Sequence, residues 1–168
     1  MRNNETLPLP SGIAALAAFM RKYKDAERVT SLDPAKQVAY SADGKMYTFG
    51  VNTYIAAGFV GESIGGVLSH VSDEEDIREI TDDMVYAIRI YLTCGVGIKG
   101  VVLAGGNTRE ELFDEIAKKF DDLLQNRDIT FFKIPIESMD ESVSIGIDCK
   151  YQEINIVLSR KPEHEWEE

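Results

Sequence analysis

The sequence predicts an α+β domain in which mixed β-sheets carry helices on their outer faces, and three observations lead there. Helix-like and strand-like segments follow one another as helix, several strands, helix, strand, helix, three strands. That order alternates too little for a doubly wound nucleotide fold and carries too much helix for a plain sandwich. The helical segments show apolar residues at three- and four-residue spacing, whereas the strand-like runs are short and bounded by Gly, Asp and Ser. Finally, 168 residues with 44% hydrophobic and 28% charged content suit one domain with a substantial core rather than two.

Taken in order, residues 1–10 are polar and proline-bearing, and are expected to be loose. Ser11 is placed to cap a helix over 12–24 whose apolar face is Ile13, Leu16, Ala17, Met20 and Tyr23. Residues 36–41 and 45–59 read as strands joined as a hairpin by Ser41-Ala-Asp-Gly44, and another strand runs from Ser63 to Val71. Ser72-Asp-Glu-Glu75 has the form of a capping box, and Ile77, Ile80, Met84, Ile88, Tyr91 and Leu92 recur at helical spacing. A helix is therefore expected over most of 73–93, with a second start near Thr81 and a stop at Gly95.

Lys99 to Ala104 is a short buried strand, and Thr108-Arg-Glu-Glu111 is expected to cap the strongest helix. Leu112, Phe113, Ile116, Phe120, Leu123 and Leu124 form its apolar stripe. Strands at 129–136, 142–148 and 152–160 finish the domain, the last two pairing across residues 148–152. No internal repeat and no linker divides the chain.

Charge and cysteine use exclude several function classes. A formal charge of −11 speaks against nucleic acid or an anionic membrane as the main partner, because phosphate recognition needs clustered Lys and Arg. The acidic clusters read first as solvated faces and helix starts, with a docking surface for a basic partner as the alternative. Two cysteines, Cys94 and Cys149, make no disulfide framework, so a reduced, cytoplasmic setting is expected. Neither has metal-ligand spacing to a second Cys or His, and neither a metal nor a cofactor is expected. Cys94 reads as a small buried apolar group at a helix end. The apolar run Gly12–Met20 is short, follows Glu5 and lacks a cleavage site, so it reads as a domain helix rather than a signal peptide. Leu103-Ala-Gly-Gly-Asn-Thr108 lacks the Walker lysine and the spaced glycines of a dinucleotide loop.

Three segments carry a family resemblance: Thr48-Phe-Gly-Val-Asn-Thr-Tyr54, Ile64-Gly-Gly-Val-Leu-Ser-His70 and Leu103-Ala-Gly-Gly-Asn-Thr108. Together they resemble CheD, the chemoreceptor glutamine deamidase of bacterial chemotaxis, itself similar to the cytotoxic necrotizing factor toxins. Thr81-Asp-Asp-Met-Val-Tyr-Ala-Ile and Ser142–Asp148 are similar to that family's central helix start and its C-terminal strand pair. The resemblance spans 48–161. The first 47 residues, an N-terminal helix and leading strand, stay unassigned, and 162–168 form an acidic tail containing His164.

The resemblance implies a CheD-like fold and a site in which a cysteine attacks a protein glutamine amide. A histidine moves the proton there, and a threonine holds the imidazole. Thr48 falls on the orienting threonine, Gly50 on the turn glycine and His70 on the catalytic histidine, while Asn52 replaces a glycine. Tyr54 falls on the cysteine. Tyr54 and His70 are 16 positions apart, one short of the family spacing, so counting back from His70 puts Thr53 at the nucleophile instead. On a strand, Thr53 and Tyr54 would point to opposite faces.

Neither residue is a good acyl-transfer nucleophile, since a phenol has a pKa near 10 and threonine needs strong base activation. Gly105, Gly106 and Asn107 are expected to line the same pocket. The leading expectation is a non-catalytic or altered relative that binds a protein partner, a receptor or signalling protein. A glutamine amidohydrolase with a substitute nucleophile and a fold-level relative with a small-molecule ligand remain open beside it.

Overall fold

Two mixed sheets stack face to face in an α+β domain, with the central strands of the larger sheet buried on both faces, and the computed structural model describes residues 9–160 of it. The elements are α1 (Ile13–Tyr23), β1 (Glu27–Arg28), a short 3-10 turn (Pro34–Lys36), β2 (Val38–Ser41), β3 (Lys45–Val51), β4 (Ile55–Gly61), β5 (Gly66–Val71), α2 (Glu74–Thr93), β6 (Ile98–Gly105), α3 (Glu110–Leu124), β7 (Thr130–Pro135), β8 (Glu141–Asp148) and β9 (Glu153–Arg160). One sheet has the order β1-β3-β8-β9 and the other β2-β5-β4-β6-β7. The parallel pair β6–β7 is joined through α3, as a parallel connection requires a long crossover.

Three packed layers of side chains hold these elements together. Ile55, Ala57, Phe59, Val101 and Leu103 face α2 and α3, where Ile77, Met84, Ile88, Phe113, Ile116 and Phe120 meet them. The opposite side of the same strands, with Ala56, Val60, Leu68, Val102 and Ala104, faces Met46, Val143, Ile145 and Ile147 of the four-stranded sheet. On the outer face of that second sheet, Phe19 and Tyr23 of α1 pack against Val157, Tyr47 and Phe49. Helices thus cover both outer faces of a two-sheet stack. No helix among the described residues is long and apolar enough to cross a membrane.

Several boundaries differ from the sequence expectation for identifiable reasons. The Ser41–Gly44 turn does not close a hairpin, because β2 pairs with β5 while β3 pairs with β8 in the other sheet. The expected strand 45–59 is two strands in different sheets, broken at residues 52–54. Ser11 does not cap α1: Gly12 occupies that position with φ 95°, and Ser11 bridges to Leu158 instead. The face of α1 is also rotated, burying Phe19 and Tyr23 while Ile13 is 88% exposed and Met20 is exposed.

Asp73 rather than Ser72 caps α2, accepting from Asp76 N at 3.0 Å. That helix runs unbroken, since Thr81 satisfies its hydroxyl on Ile77 O at 2.7 Å within the same helix. Thr108 sits at φ 65° ahead of α3, whose N-cap is Arg109 without a side-chain bond. Cys94 is exposed, not buried. Residues 1–8, the tail 162–168 and His164 lie outside the described residues.

Candidate functional site

Period-two alternation on two strands brings Thr48 and His70 face to face. On β3, Met46 and Thr48 point into the layer between the sheets. On β5, Leu68 and His70 do the same from the opposite side. Thr48 Oγ1 lies 2.8 Å from His70 Nδ1, with both side chains buried. Small neighbours make room for the ring, because the register across the sheet places Ala56 beside His70 and Ala104 beside Ala56.

Burial pushes the His70 imidazole down to about 4 from its usual 6.5, so the ring is neutral at physiological pH. A neutral ring carries one proton. When Nδ1–H donates to Thr48, the lone pair sits on Nε2, the form a general base needs. Every buried side-chain nitrogen and oxygen among the described residues has a hydrogen-bond partner. Nε2 has no protein partner among them and therefore opens to the surface of the cleft that His70 lines.

That cleft, about 720 Å³, lies at the end of the sandwich where β3 hands the chain to β4. Gly50, Asn52, Thr53, Tyr54 and His70 all line it, joined by Phe49, Ser142, Ser159 and the rim residues Leu32 and Met139. Thr53 and Tyr54 do not sit on opposite faces of a strand as expected; they belong to the turn between two strands, and both reach the cleft. Two glycines permit this turn. Gly50 adopts φ 64°, and at Gly105 (φ 109°) a Cβ would fall 2.1 Å from Tyr54 O.

Gly105, Gly106 and Asn107, expected to line the pocket, stand behind its wall instead. Asn107 N donates to Asn52 O and Asn107 Nδ2 to Asn52 Oδ1, each at 3.0 Å. Asn52 Nδ2 in turn donates to Ser138 O at 2.9 Å and to Glu141 O. Asn52 therefore ties the turn to both the 105–107 loop and the 138–141 loop. Thr53 Oγ1 donates to Asn52 Oδ1 at 3.2 Å, which engages its proton away from the imidazole. Tyr54 is 37% exposed at the lip of the cleft, with the Arg109 guanidinium 5.3 Å from its ring centroid. Arg109 Nη1 is itself fixed on Ser72 O at 2.6 Å.

Sequence reasoning missed Arg28 and the Arg160–Glu141 pair, which line the cleft, and Arg109, which sits over the Tyr54 ring beside it. No spacing signal exposes them, because each joins the site only through strand order. No thiol reaches the cleft. Cys94 lies exposed at the far end of α2, and Cys149 is buried after β8, where desolvation pushes its thiol up to about 11. Among the described residues, no group of three or more His, Cys, Asp and Glu side chains could hold a metal ion. No protein-family model matches the chain, and no curated protein matches it significantly.

Proposed function

We propose that this chain is a CheD-like protein that keeps the imidazole and threonine of a glutamine-deamidase site without its thiol. It binds a segment of a protein partner, a receptor or signalling protein, in the cleft without hydrolysing it. The observation that carries this reading is the buried Thr48–His70 pair at the base of a cleft that contains no cysteine. The pairing matches the roles that the family resemblance assigns to both residues, and it joins strands from different sheets. Around the pair, Ser142 and Ser159 offer polar contacts, and Leu32, Met139 and Tyr54 offer an apolar rim, a mixture suited to a peptide chain.

The amidohydrolase alternative fits less well. The Thr53 hydroxyl is engaged with Asn52, and the Tyr54 ring is held toward Arg109, so neither is poised as a nucleophile beside His70. Incubation with a glutamine-bearing helical fragment of a bacterial chemoreceptor tests both parts. Binding is expected to shift the NMR signals of His70 and its cleft neighbours, with no change in fragment mass. A one-dalton gain per fragment would overturn the non-catalytic reading, and unshifted cleft signals at millimolar fragment would overturn the binding reading.

A further inference from the structure

We propose a second binding site, at the free edge of β2 and the apolar groove beside it, that takes an extended cationic segment of a protein partner as a sixth strand. β2 ends the five-stranded sheet and pairs only with β5. His70 N donates to Gln37 O at 2.9 Å, so the odd-numbered residues of this stretch turn their backbone groups toward β5. The N–H and C=O groups of Val38 and Tyr40 then point outward, and no other backbone group among the described residues bonds them.

Beyond its four-residue length, this edge carries no guard against strand addition. Its sequence, Val38-Ala-Tyr-Ser41, has no charge and no proline, the usual protections. The other edges are protected or short: β7 ends in Pro135 and carries the Lys133–Asp121 pair, β1 has two residues, and Pro10 O accepts from Leu158 N on β9.

The groove supplies pockets for the side chains of such a strand. Val38 and Tyr40 are exposed at 43% and 62%, and they turn toward α2. With Phe59, Ile64, Val67, Ile80, Met84, Ala87 and Tyr91 they enclose about 260 Å³ of mainly apolar space. Tyr40 Oη donates to Ile64 O at 3.1 Å, fixing its ring along the mouth.

Charge selects the occupant. Asp83 lines the groove, and Glu79 and Asp76 stand one and two turns back on the same side of α2; all three are exposed and none has an ion-pair partner among the described residues. A strand carrying Arg or Lys beside an apolar side chain completes this surface, as in strand addition elsewhere. A second copy of the chain brings its own −11 charge and is disfavoured.

A threonine-rich peptide with leucine and arginine alternating on one face is the probe. Its binding by the full chain is expected to slow hydrogen exchange at the Val38 and Tyr40 amides. N-methylation of alternate peptide amides is expected to weaken binding about tenfold or more, as is a combined Asp76→Lys, Glu79→Lys and Asp83→Lys variant. These substitutions lie on an exposed helix face and leave the core intact. Equal affinity of the methylated peptide, equal affinity of the charge-reversed variant, or protection elsewhere would overturn the proposal. A concentration-dependent dimer that buries the β2 edge without peptide would also overturn it, by giving the edge to a second copy.

Discussion

The two faces of the five-stranded sheet are built from the same strands, yet only the face toward the other sheet buries an ionisable side chain, His70. Toward α2 and α3, polar groups are satisfied locally: Ser69 Oγ donates to Ala57 O at 3.0 Å, and Thr81 bonds within its own helix. Between the sheets, His70 has no local partner and is satisfied across the layer by Thr48. A buried group that depends on a distant strand ties the two sheets into one alignment at the end where the cleft opens. The helix-facing layer supplies stability by volume, and the inter-sheet layer gives up some of it to hold a neutral imidazole in place.

The largest expected effect breaks the helix-facing layer. Phe120, fully buried between α3 and β7, should cost about 3–5 kcal/mol on replacement by alanine, measured by urea unfolding. The pH dependence of stability sharpens the other layer. Because the folded-state pKa of His70 lies below its unfolded value, the unfolded chain binds more protons between pH ~6.5 and ~4. The stability is fully present above pH ~6.5 and falls as pH drops through this window. The gap from 6.5 to about 4 amounts to about 3 kcal/mol at roughly 1.4 kcal/mol per pH unit. Unfolding of the parent and of His70→Gln at pH 7 and pH 4.5 measures it, and equal pH slopes in the two proteins would contradict the burial.

Thr48→Val comes next, at about 1–3 kcal/mol, because it leaves the His70 nitrogen buried without its partner. Its NMR signature is a change in the His70 ring-nitrogen shifts that Thr48→Ser largely reverses. Tyr54→Cys should change stability by no more than about 0.5 kcal/mol, since the ring stands at the cleft mouth outside both core layers. That near-neutrality separates the site from its scaffold.

Local pattern revealed the helices, and Thr48 and His70 were singled out only by the family resemblance, whereas sheet membership stayed hidden. The stripe Leu112–Leu124 and the burial of Ile77, Met84 and Ile88 follow from helical spacing, which depends only on neighbours in the chain. Residues 45–59 have uniform strand character, but nothing in their alternation says that β3 and β4 join different sheets. The break at Asn52–Tyr54 is set by bonds to residues 107, 138 and 141, remote in sequence. α1 was misoriented for a related reason: its partner surface of Tyr47, Phe49 and Val157 decides which apolar residues turn inward. Likewise Arg109 reaches Tyr54 only because the α3 start and the β3–β4 turn meet in space.

Alkylation of Tyr54→Cys by iodoacetamide at pH 7, in the presence of His70 and in a His70→Gln background, probes the link between turn and imidazole. A cleft in which position 54 addresses the open Nε2 predicts reaction several-fold faster than free cysteine, with the gain lost when His70 is replaced. Equal rates in the two backgrounds, no faster than free cysteine, would show that the imidazole and the turn do not form one site.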